Sequence, residues 1–144
     1  MPAFLYEKAL EPLWEIGQYQ DQHLRPGSYG ANTNVIGTTR DFNAGDDVQL
    51  MTLEHYPEMT QKFLDGLCDE AMEKWDLVDC LIIHRFGDIK PNDPIVLIVV
   101  WSAHREDAFA ACRYLIEELK ARAPFWKKET TGEKQRWVHD APSH

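Results

Sequence analysis

The apolar run from Pro94 to Trp101, PIVLIVVW, constrains the fold more than any other segment of the chain. The run is far shorter than the roughly 20 residues that a membrane-spanning helix needs. Its β-branched residues are typical of a buried strand. A second run, Leu77–Arg85, precedes it, and the intervening FGDIKPND suits a hairpin connection. The two runs therefore predict an antiparallel pair of strands.

Two amphipathic helices are predicted from apolar residues at helical spacing. The first follows Pro57, and its apolar positions recur every four residues at Met59, Phe63, Leu67, Ala71 and Trp75. The second runs from His104 to Arg122, with one apolar face formed by Ala108, Phe109, Ala111, Cys112, Leu115, Ile116 and Leu119. Pro124 disfavours helical geometry at the residue before it, so the second helix should end there. We expect the following APFWKKE to form a loop or a short edge strand.

Upstream of the helices, β-branched stretches predict strands at 32–40 and 48–54, which we expect to pair across the turn-rich DFNAGDD. The resulting order, β–β–α–β–β–α, predicts an α+β fold class with helices packed on a mixed or antiparallel sheet. We expect one domain over residues 1–144. Within it, residues 1–31 would be a peripheral segment, a strand or short helix followed by a loop, and 139–144 a short tail.

Length and cysteine usage limit the class of protein. A chain of 144 residues can bury a core without disulfides or a structural metal. Its three cysteines, Cys68, Cys80 and Cys112, are far apart and show no C-x-x-C spacing, which argues against a zinc ribbon or a redox pair. Cys80 and Cys112 lie in apolar segments, where thiols are usually core residues. We expect a reducing, cytoplasmic location with no signal peptide and no membrane span.

The distribution of charge indicates the kind of ligand. The chain has 15 basic and 24 acidic residues, a net charge of −9, which argues against general nucleic-acid binding. The segment from Lys120 to Arg136 is instead basic, with Lys120, Arg122, Lys127, Lys128, Lys134 and Arg136 against Glu129 and Glu133. A small anionic ligand would be attracted to that segment.

Common catalytic motifs are missing from the sequence, but basic residues stand at the ends of predicted elements. The six histidines show no compact spacing for a metal, and we expect neither a metal nor a cofactor. His104 and Arg105 come at the start of the second helix, where backbone N–H groups favour anions. Arg40 ends a strand, while Lys120 lies in the last helical turn and Lys127 follows seven residues later. Both lysines could face one pocket and stabilise a phosphate or a developing oxyanion.

Each of these residues also has an ordinary structural interpretation. Lys120 would stabilise the dipole at the C-terminus of its helix. Lys127 would protect an edge strand from aggregation. His104 could cap the helix, Arg105 could pair with a helix acid, and Arg40 could anchor its loop. Taken alone, the residues predict an α+β domain with a basic C-terminal pocket.

Four motifs occur in a fixed order and carry a resemblance to a known family. They are LEHYP at 53–57, HR-x-G at 84–87, SAHR-x-x-AF at 102–109 and LK-x-x-AP-x-WKKE at 119–129. Over residues 32–138 the chain resembles the MoaE family, the large, catalytic subunit of molybdopterin synthase.

The resemblance implies a fold of the α/β-hammerhead kind and a sulfurtransferase activity in molybdenum cofactor biosynthesis. The enzyme would convert cyclic pyranopterin monophosphate to the dithiolene molybdopterin. Sulfur would arrive as the C-terminal thiocarboxylate of a small ubiquitin-like subunit, whose tail enters a pocket of this chain. The large subunit would form a central homodimer that carries one small subunit at each end, a heterotetramer.

The resemblance also implies roles for individual residues. Lys120 would perform acid–base catalysis and contact the tail, and Lys127 would stabilise charge on the substrate. The substrate-binding residues would be Arg40, His104, Arg105 and Arg136. Glu54 and His55 are expected to be structural. Two alternatives remain: a noncatalytic α+β module that binds an anion or a protein tail, and an inactive paralogue that binds the small subunit without transferring sulfur.

Overall fold

The computed structural model describes residues 3–40, 50–131 and 134–138, with the side chains of 3–40 and 50–126. The described residues form three helices and eight strands in two four-stranded sheets. In chain order the elements are β1 (Ala3–Tyr6), α1 (Pro12–His23), β2 (Ala31–Thr38), β3 (Leu50–His55), α2 (Pro57–Lys74), β4 (Leu77–Arg85), β5 (Gly87–Ile89), β6 (Pro94–Ser102), α3 (Arg105–Arg122), β7 (Phe125–Thr131) and β8 (Lys134–Val138).

The two apolar runs form the centre of the first sheet, whose order is β1-β4-β6-β2. β4 and β6 are antiparallel, as predicted, while β1 is parallel to β4, so the sheet is mixed. Alternate residues of β6 enter two clusters: Ile98 and Val100 pack with the core under α2 and α3, whereas Val99 and Trp101 face the opposite side. Burial on both faces explains why the run is apolar throughout.

Both predicted helices are confirmed, with small changes in the buried face. The buried residues of α2 are Thr60, Leu64, Leu67, Cys68 and Ala71, and those of α3 are Ala108, Ala111, Cys112, Leu115 and Leu119. Met59 and Phe109, which we predicted in the apolar stripes, are instead 59% and 64% exposed. Each stands one residue, or about 100°, away from the buried stripe of its helix.

The strand pairing upstream of α2 differs from the prediction. β2 pairs with β6, and β3 belongs to the second sheet, whose order is β5-β3-β7-β8. The predicted pairing of the strands at 32–40 and 48–54 is therefore wrong. β2 instead pairs with the edge of β6 that β4 leaves open, and β6 is apolar on both faces. The turn expected within 41–47 lies outside the described residues. β7 is also not an edge strand, since β3 and β8 flank it.

The N-terminal segment contains both a strand and a helix, where the sequence predicted one or the other. β1 lies at the edge of the first sheet. α1 covers the sheet face opposite α2 and α3, where Tyr19 stacks on Trp101 with ring centroids 5.3 Å apart. The Tyr19 hydroxyl donates to Asp79 at 2.9 Å, and the Trp101 indole donates to Gln20 at 3.0 Å.

The cysteines are core residues. Cys68, Cys80 and Cys112 are buried and form no disulfide in the described part of the chain. A hydrogen bond with Cys80, together with burial, raises the pKa of Cys68, and burial raises the pKa of Cys112. Because the thiol forms are favoured, nucleophilic roles are disfavoured. In the described part of the chain, no helix is long and apolar enough to cross a membrane, and no cluster of His, Cys, Asp and Glu is arranged to hold a metal.

Candidate functional site

Helix α3 separates the predicted site residues into two groups. It follows β6 directly and packs on β6 and β2, and the Thr33 hydroxyl of β2 donates to the carbonyl of Ala108 in its second turn at 2.8 Å. The helix therefore runs back along β6. His104 precedes its first turn and Lys120 lies in its last turn. With a rise of about 1.5 Å per residue, the two residues are about 24 Å apart along the axis.

We call the first group the lysine end: Lys120, Arg40 and the start of β7. Lys120 is exposed and makes no hydrogen bond or ion pair with any residue whose side chain is described. Its neighbour Arg122 is engaged instead, with Glu118 at 3.1 Å and Glu70 at 3.4 Å. The Lys120 ammonium is thus available to a ligand.

Arg40 reaches the lysine end because β2 is antiparallel to β6. Its neighbour Thr39 is buried and held by the turn after β5: the Thr39 N–H donates to Asp93 at 3.0 Å and its hydroxyl to Lys90 at 2.8 Å. The side chain of Arg40 is exposed, with no partner among the described residues. The backbone before Arg40 is therefore fixed, while its guanidinium is available.

The backbone of β7 places Lys127 in the interior of the second sheet, opposite Leu53 of β3 and Val138 of β8. Arg136 is paired with Glu129, so it lies in the adjacent strand of the same sheet. The side chains of Lys127 and Arg136 are outside the described residues. Trp126, next to Lys127, donates its indole N–H to Glu54 at 3.2 Å.

The second group, His104 and Arg105, forms what we call the arginine end. They line a cavity of about 280 Å³ with Glu106 and Asp107. His104 is the N-cap residue but makes no side-chain capping bond, and Arg105 makes no ion pair with any residue in the described ranges. Backbone N–H groups of the first helical turn therefore remain available to an anion, although the two carboxylates oppose it.

The turn that carries the arginine end is tightly constrained. The Gly30 N–H donates to the Ser102 carbonyl at 2.9 Å, and the Ser102 hydroxyl donates to the carbonyl of His104. A Cβ at Gly30 would collide with the carbonyl oxygen of Ala103. Glycine is therefore required at this position, because the two backbones approach closely.

Our sequence interpretation missed the environment of Phe125, the first residue of β7. Its ring stacks on His84 with centroids 4.0 Å apart and also contacts His55 at 5.6 Å. The LEHYP and HR-x-G motifs contain these histidines, but spacing alone does not show that they meet. A different cavity of about 670 Å³ lies beside β3 and includes three carboxylates, Glu7, Glu54 and Asp88. Its charge is unsuitable for a phosphate.

The described chain thus assembles only part of the expected basic pocket. Arg40 and Lys120 lie toward one end of the first sheet, and β7, which carries Lys127, begins just after α3. His104 and Arg105 lie at the other end. A single small ligand cannot reach both ends of one chain.

Comparison with known proteins places the chain in a family. The model described as MoaE protein matches residues 13–122. A molybdopterin synthase catalytic subunit of Ralstonia nicotianae is 54% identical over 117 residues, covering 80% of this chain and 66% of the relative. One of Vibrio cholerae is 51% identical over 130 residues, covering 90% of this chain and 87% of the relative.

Solved structures agree with the sequence relatives. Molybdopterin synthase from Staphylococcus aureus has a TM-score of 0.81 at 31% identity, covering 93% of this chain and 94% of that one. A complex of subunits 1 and 2 of molybdopterin-converting factor from Helicobacter pylori has a TM-score of 0.82 at 20% identity, covering 99% and 94%, a likeness of fold. By the extent of the family match and the identity of its relatives, the chain belongs to the MoaE family, whose curated members here are molybdopterin synthase catalytic subunits.

Proposed function

We propose that this chain transfers sulfur from the C-terminal thiocarboxylate of a small ubiquitin-like subunit to cyclic pyranopterin monophosphate, forming the molybdopterin dithiolene. The observation that carries the proposal is the lysine end. There Lys120, which has no partner among the described side chains, precedes the strand of Lys127 in a chain of the MoaE family. Two transfers are needed for each product.

The chemistry requires cations and a proton that can move. In each transfer the thiocarboxylate sulfur bonds to a substrate carbon as that carbon loses an oxygen substituent, and water then cleaves the bond between the sulfur and the acyl carbon, so the tail leaves as a carboxylate. The cyclic phosphate of the substrate must also open. Lys120 supplies the proton and contacts the carboxyl end of the tail, while Lys127 stabilises charge on the pterin. Arg40 binds substrate at the same end, and Arg136 is a further binding residue on β8.

The arginine end takes part through a second copy of the chain. His104 and Arg105 stand about 24 Å along the helix from Lys120, too far to hold the phosphate of a substrate that reacts at Lys120 of the same chain. A two-fold homodimer resolves the separation if the arginine end of one protomer adjoins the lysine end of its partner. Each dimer then contains two complete sites.

The small subunit completes the assembly as a heterotetramer with one copy at each end of the homodimer. A complex of two subunits among the structural neighbours supports such a partner. A short edge strand in APFWKKE could have accepted the extended tail by backbone pairing, but β7 is already paired on both sides. The tail therefore lies against side chains of the lysine end, with Trp126 and Tyr56 (ring centroids 4.8 Å apart) as aromatic contacts nearby. Three buried cysteines in the thiol form are compatible with a cytoplasmic enzyme.

A reconstituted assay tests the proposal. It combines the purified chain, a thiocarboxylated small subunit and cyclic pyranopterin monophosphate, with the fluorescent oxidised derivative of molybdopterin as the readout. We expect product from the wild type and from Lys62→Ala, an exposed lysine of α2 that serves as the matched control. Lys120→Ala and Lys127→Ala should give little product while still folding.

The other outcomes distinguish the alternatives. Binding of the small subunit without product would indicate an inactive paralogue. Binding of an anion or a protein tail with no transfer in any condition would indicate a noncatalytic module. Full turnover by both alanine variants would contradict the assigned roles of the lysines.

A further inference from the structure

The connection between Lys120 and Lys127 enters the core at one residue. α3 ends where the Ala123 N–H donates to the Leu119 carbonyl at 3.0 Å, and Ala123 itself is extended. Within 120–126, where side chains are described, Phe125 is the only buried residue. Pairing with β3 and β8 holds β7 within the second sheet, and the Phe125 ring contacts the first sheet. The position of Lys127 relative to Lys120 therefore depends in part on how the Phe125 ring is held.

Two histidines from different sheets hold that ring. His84 of β4 belongs to the first sheet and stacks on Phe125 at 4.0 Å with an interplanar angle of 18°. His55 of β3 belongs to the second sheet, where it is paired with Phe125, and its ring lies 5.6 Å away at 43°. The chain passes from the first sheet to the second at this point, so the contacts join the two sheets where the site is formed.

Both histidine rings are themselves fixed. His84 is 1% exposed, and its Nδ1 lies 2.8 Å from the Arg85 carbonyl oxygen, a geometry in which the nitrogen donates. His55 packs edge-on against Phe86 with ring centroids 4.5 Å apart. A flat ring with a fixed plane restricts the tilt of Phe125 more strictly than a flexible aliphatic side chain would.

A small tilt at Phe125 would matter at Lys127. Two residues of extended strand span about 6.6 Å, so a rotation of about 10° at Phe125 moves the Lys127 backbone by about 1 Å. A misplacement of about 1 Å in a catalytic group can reduce the rate about 100-fold. The contacts of His84 and His55 with Phe125, which we call the ring clamp, can therefore affect the reaction rate although neither histidine contacts the substrate.

We propose that His84 and His55 are positioning residues for sulfur transfer, because their clamp on Phe125 sets the position of Lys127 relative to Lys120. The inference rests on the proposed function, since it assumes that both lysines act in one reaction. It assigns a role to His55, which the sequence alone left structural, and to His84, for which the sequence indicated no role.

Kinetics of three variants test the inference. His84→Leu removes the flat ring, His84→Phe retains it, and Val99→Ala alters the buried core on the other face of the first sheet. We expect His84→Leu to lower kcat about 100-fold with little change in KM. His84→Phe should rescue kcat, and Val99→Ala should keep kcat although it destabilises the fold. Equal kcat for His84→Leu and the wild type would overturn the inference.

A distance measurement supplies a readout that does not depend on turnover. Spin labels on Ala121→Cys and Lys128→Cys report the distance between the end of α3 and β7. The three native thiols are buried, so the labels should react with the introduced cysteines. We expect His84→Leu to shift or broaden the distance distribution and His84→Phe to restore it. An unchanged distribution would overturn the inference even if kcat fell.

Two further outcomes are decisive. If His84→Leu does not fold, the same measurements on His55→Leu replace it, because His55 is only partly buried. If the wild type binds the small subunit but forms no product, the proposed function fails and the inference fails with it. If the wild type forms product and His84→Leu has the wild-type kcat, the inference is contradicted while the proposed function stands.

Discussion

The two ends of α3 carry cations of similar charge in very different settings. At the lysine end the helix, both sheets and the buried Phe125 ring meet, so the backbone around Lys127 is fixed from several sides. At the arginine end, His104 and Arg105 are exposed beside Glu106 and Asp107 on a single turn. In the proposed function, this difference suits one end to positioning reacting groups and the other to binding a charge on the ligand.

The largest effect is expected from a charge-conserving substitution of Lys120, with the same change at Lys127 as the comparison. Lys120→Arg keeps the charge but removes an acid that can transfer its proton, so we expect turnover to fall about 100- to 10,000-fold. Lys127→Arg keeps electrostatic stabilisation and should retain most of the turnover. Steady-state kinetics of both variants decide between these roles, and equal losses would show that the lysines do not divide the work in this way.

Substitution at the arginine end should affect binding more than turnover. In the proposed function, Arg105→Ala removes one charge-assisted hydrogen bond to the substrate, which is worth about 1.5–3 kcal/mol. This loss corresponds to about a 10- to 100-fold increase in KM. Arg113→Ala is the matched control, because Arg113 is exposed on the same helix and pairs only with Glu117 among the described residues. A fall in kcat with unchanged KM would contradict a binding role for Arg105.

The backbone support of the arginine end can be altered without changing a charge. Gly30→Ala places a Cβ against the Ala103 carbonyl and should destabilise the fold by about 1–3 kcal/mol. We expect a higher KM from the displaced turn and a nearly unchanged kcat at saturating substrate. Thermal unfolding and kinetics measure the two effects, and Gly66→Ala, where a Cβ meets open space, is the control.

The smallest effect concerns pH at the lysine end. Burial lowers the pKa of His55 from 6.5, opposed by a backbone hydrogen bond with Tyr56. Below about pH 6.5 the unfolded chain then binds more protons than the folded chain, so stability falls as the pH falls. The groups around His55 are Phe86, Phe125 and the carboxylates Glu7, Glu54 and Asp88.

Denaturant titrations between pH 5 and 7 compare the wild type with His55→Gln. The variant should show a weaker dependence of unfolding free energy on pH in the acidic part of that range. An identical slope in both proteins would show that His55 does not contribute. The expected difference is small because the side chain is only partly buried.

Periodicity predicted the regular elements but not their long-range contacts. The 3.6-residue pattern of α3 and the apolar runs of β4 and β6 depend on local sequence, and all three are present. The pairing of β2 with β6 joins residues far apart in the chain, and no local pattern favours it over the adjacent β3. Likewise, the expected edge strand is interior because β8, which we did not predict, covers it.

In the candidate site, too, local patterns predicted the positions of residues along the chain but not their long-range contacts. Motifs located Lys120, Lys127 and Arg40 near the ends of elements, where the structure also has them. The 24 Å separation of His104 from Lys120 follows from helix length, about 1.5 Å per residue, once the helix is known to be continuous. The contact of His84 and His55 with Phe125 requires two sheets to meet and has no signature in spacing.

Mixed dimers test most directly the claim that the two ends of α3 from different chains form one site. Chains with Lys120→Ala and chains with Arg105→Ala are co-expressed with different tags, and the heterodimers are isolated. In a two-fold heterodimer one site is intact and one carries both substitutions, so at substrate concentrations well below KM we expect about half of the wild-type activity per dimer. Activity at those concentrations no higher than the mean of the Lys120→Ala and Arg105→Ala homodimers would contradict the claim.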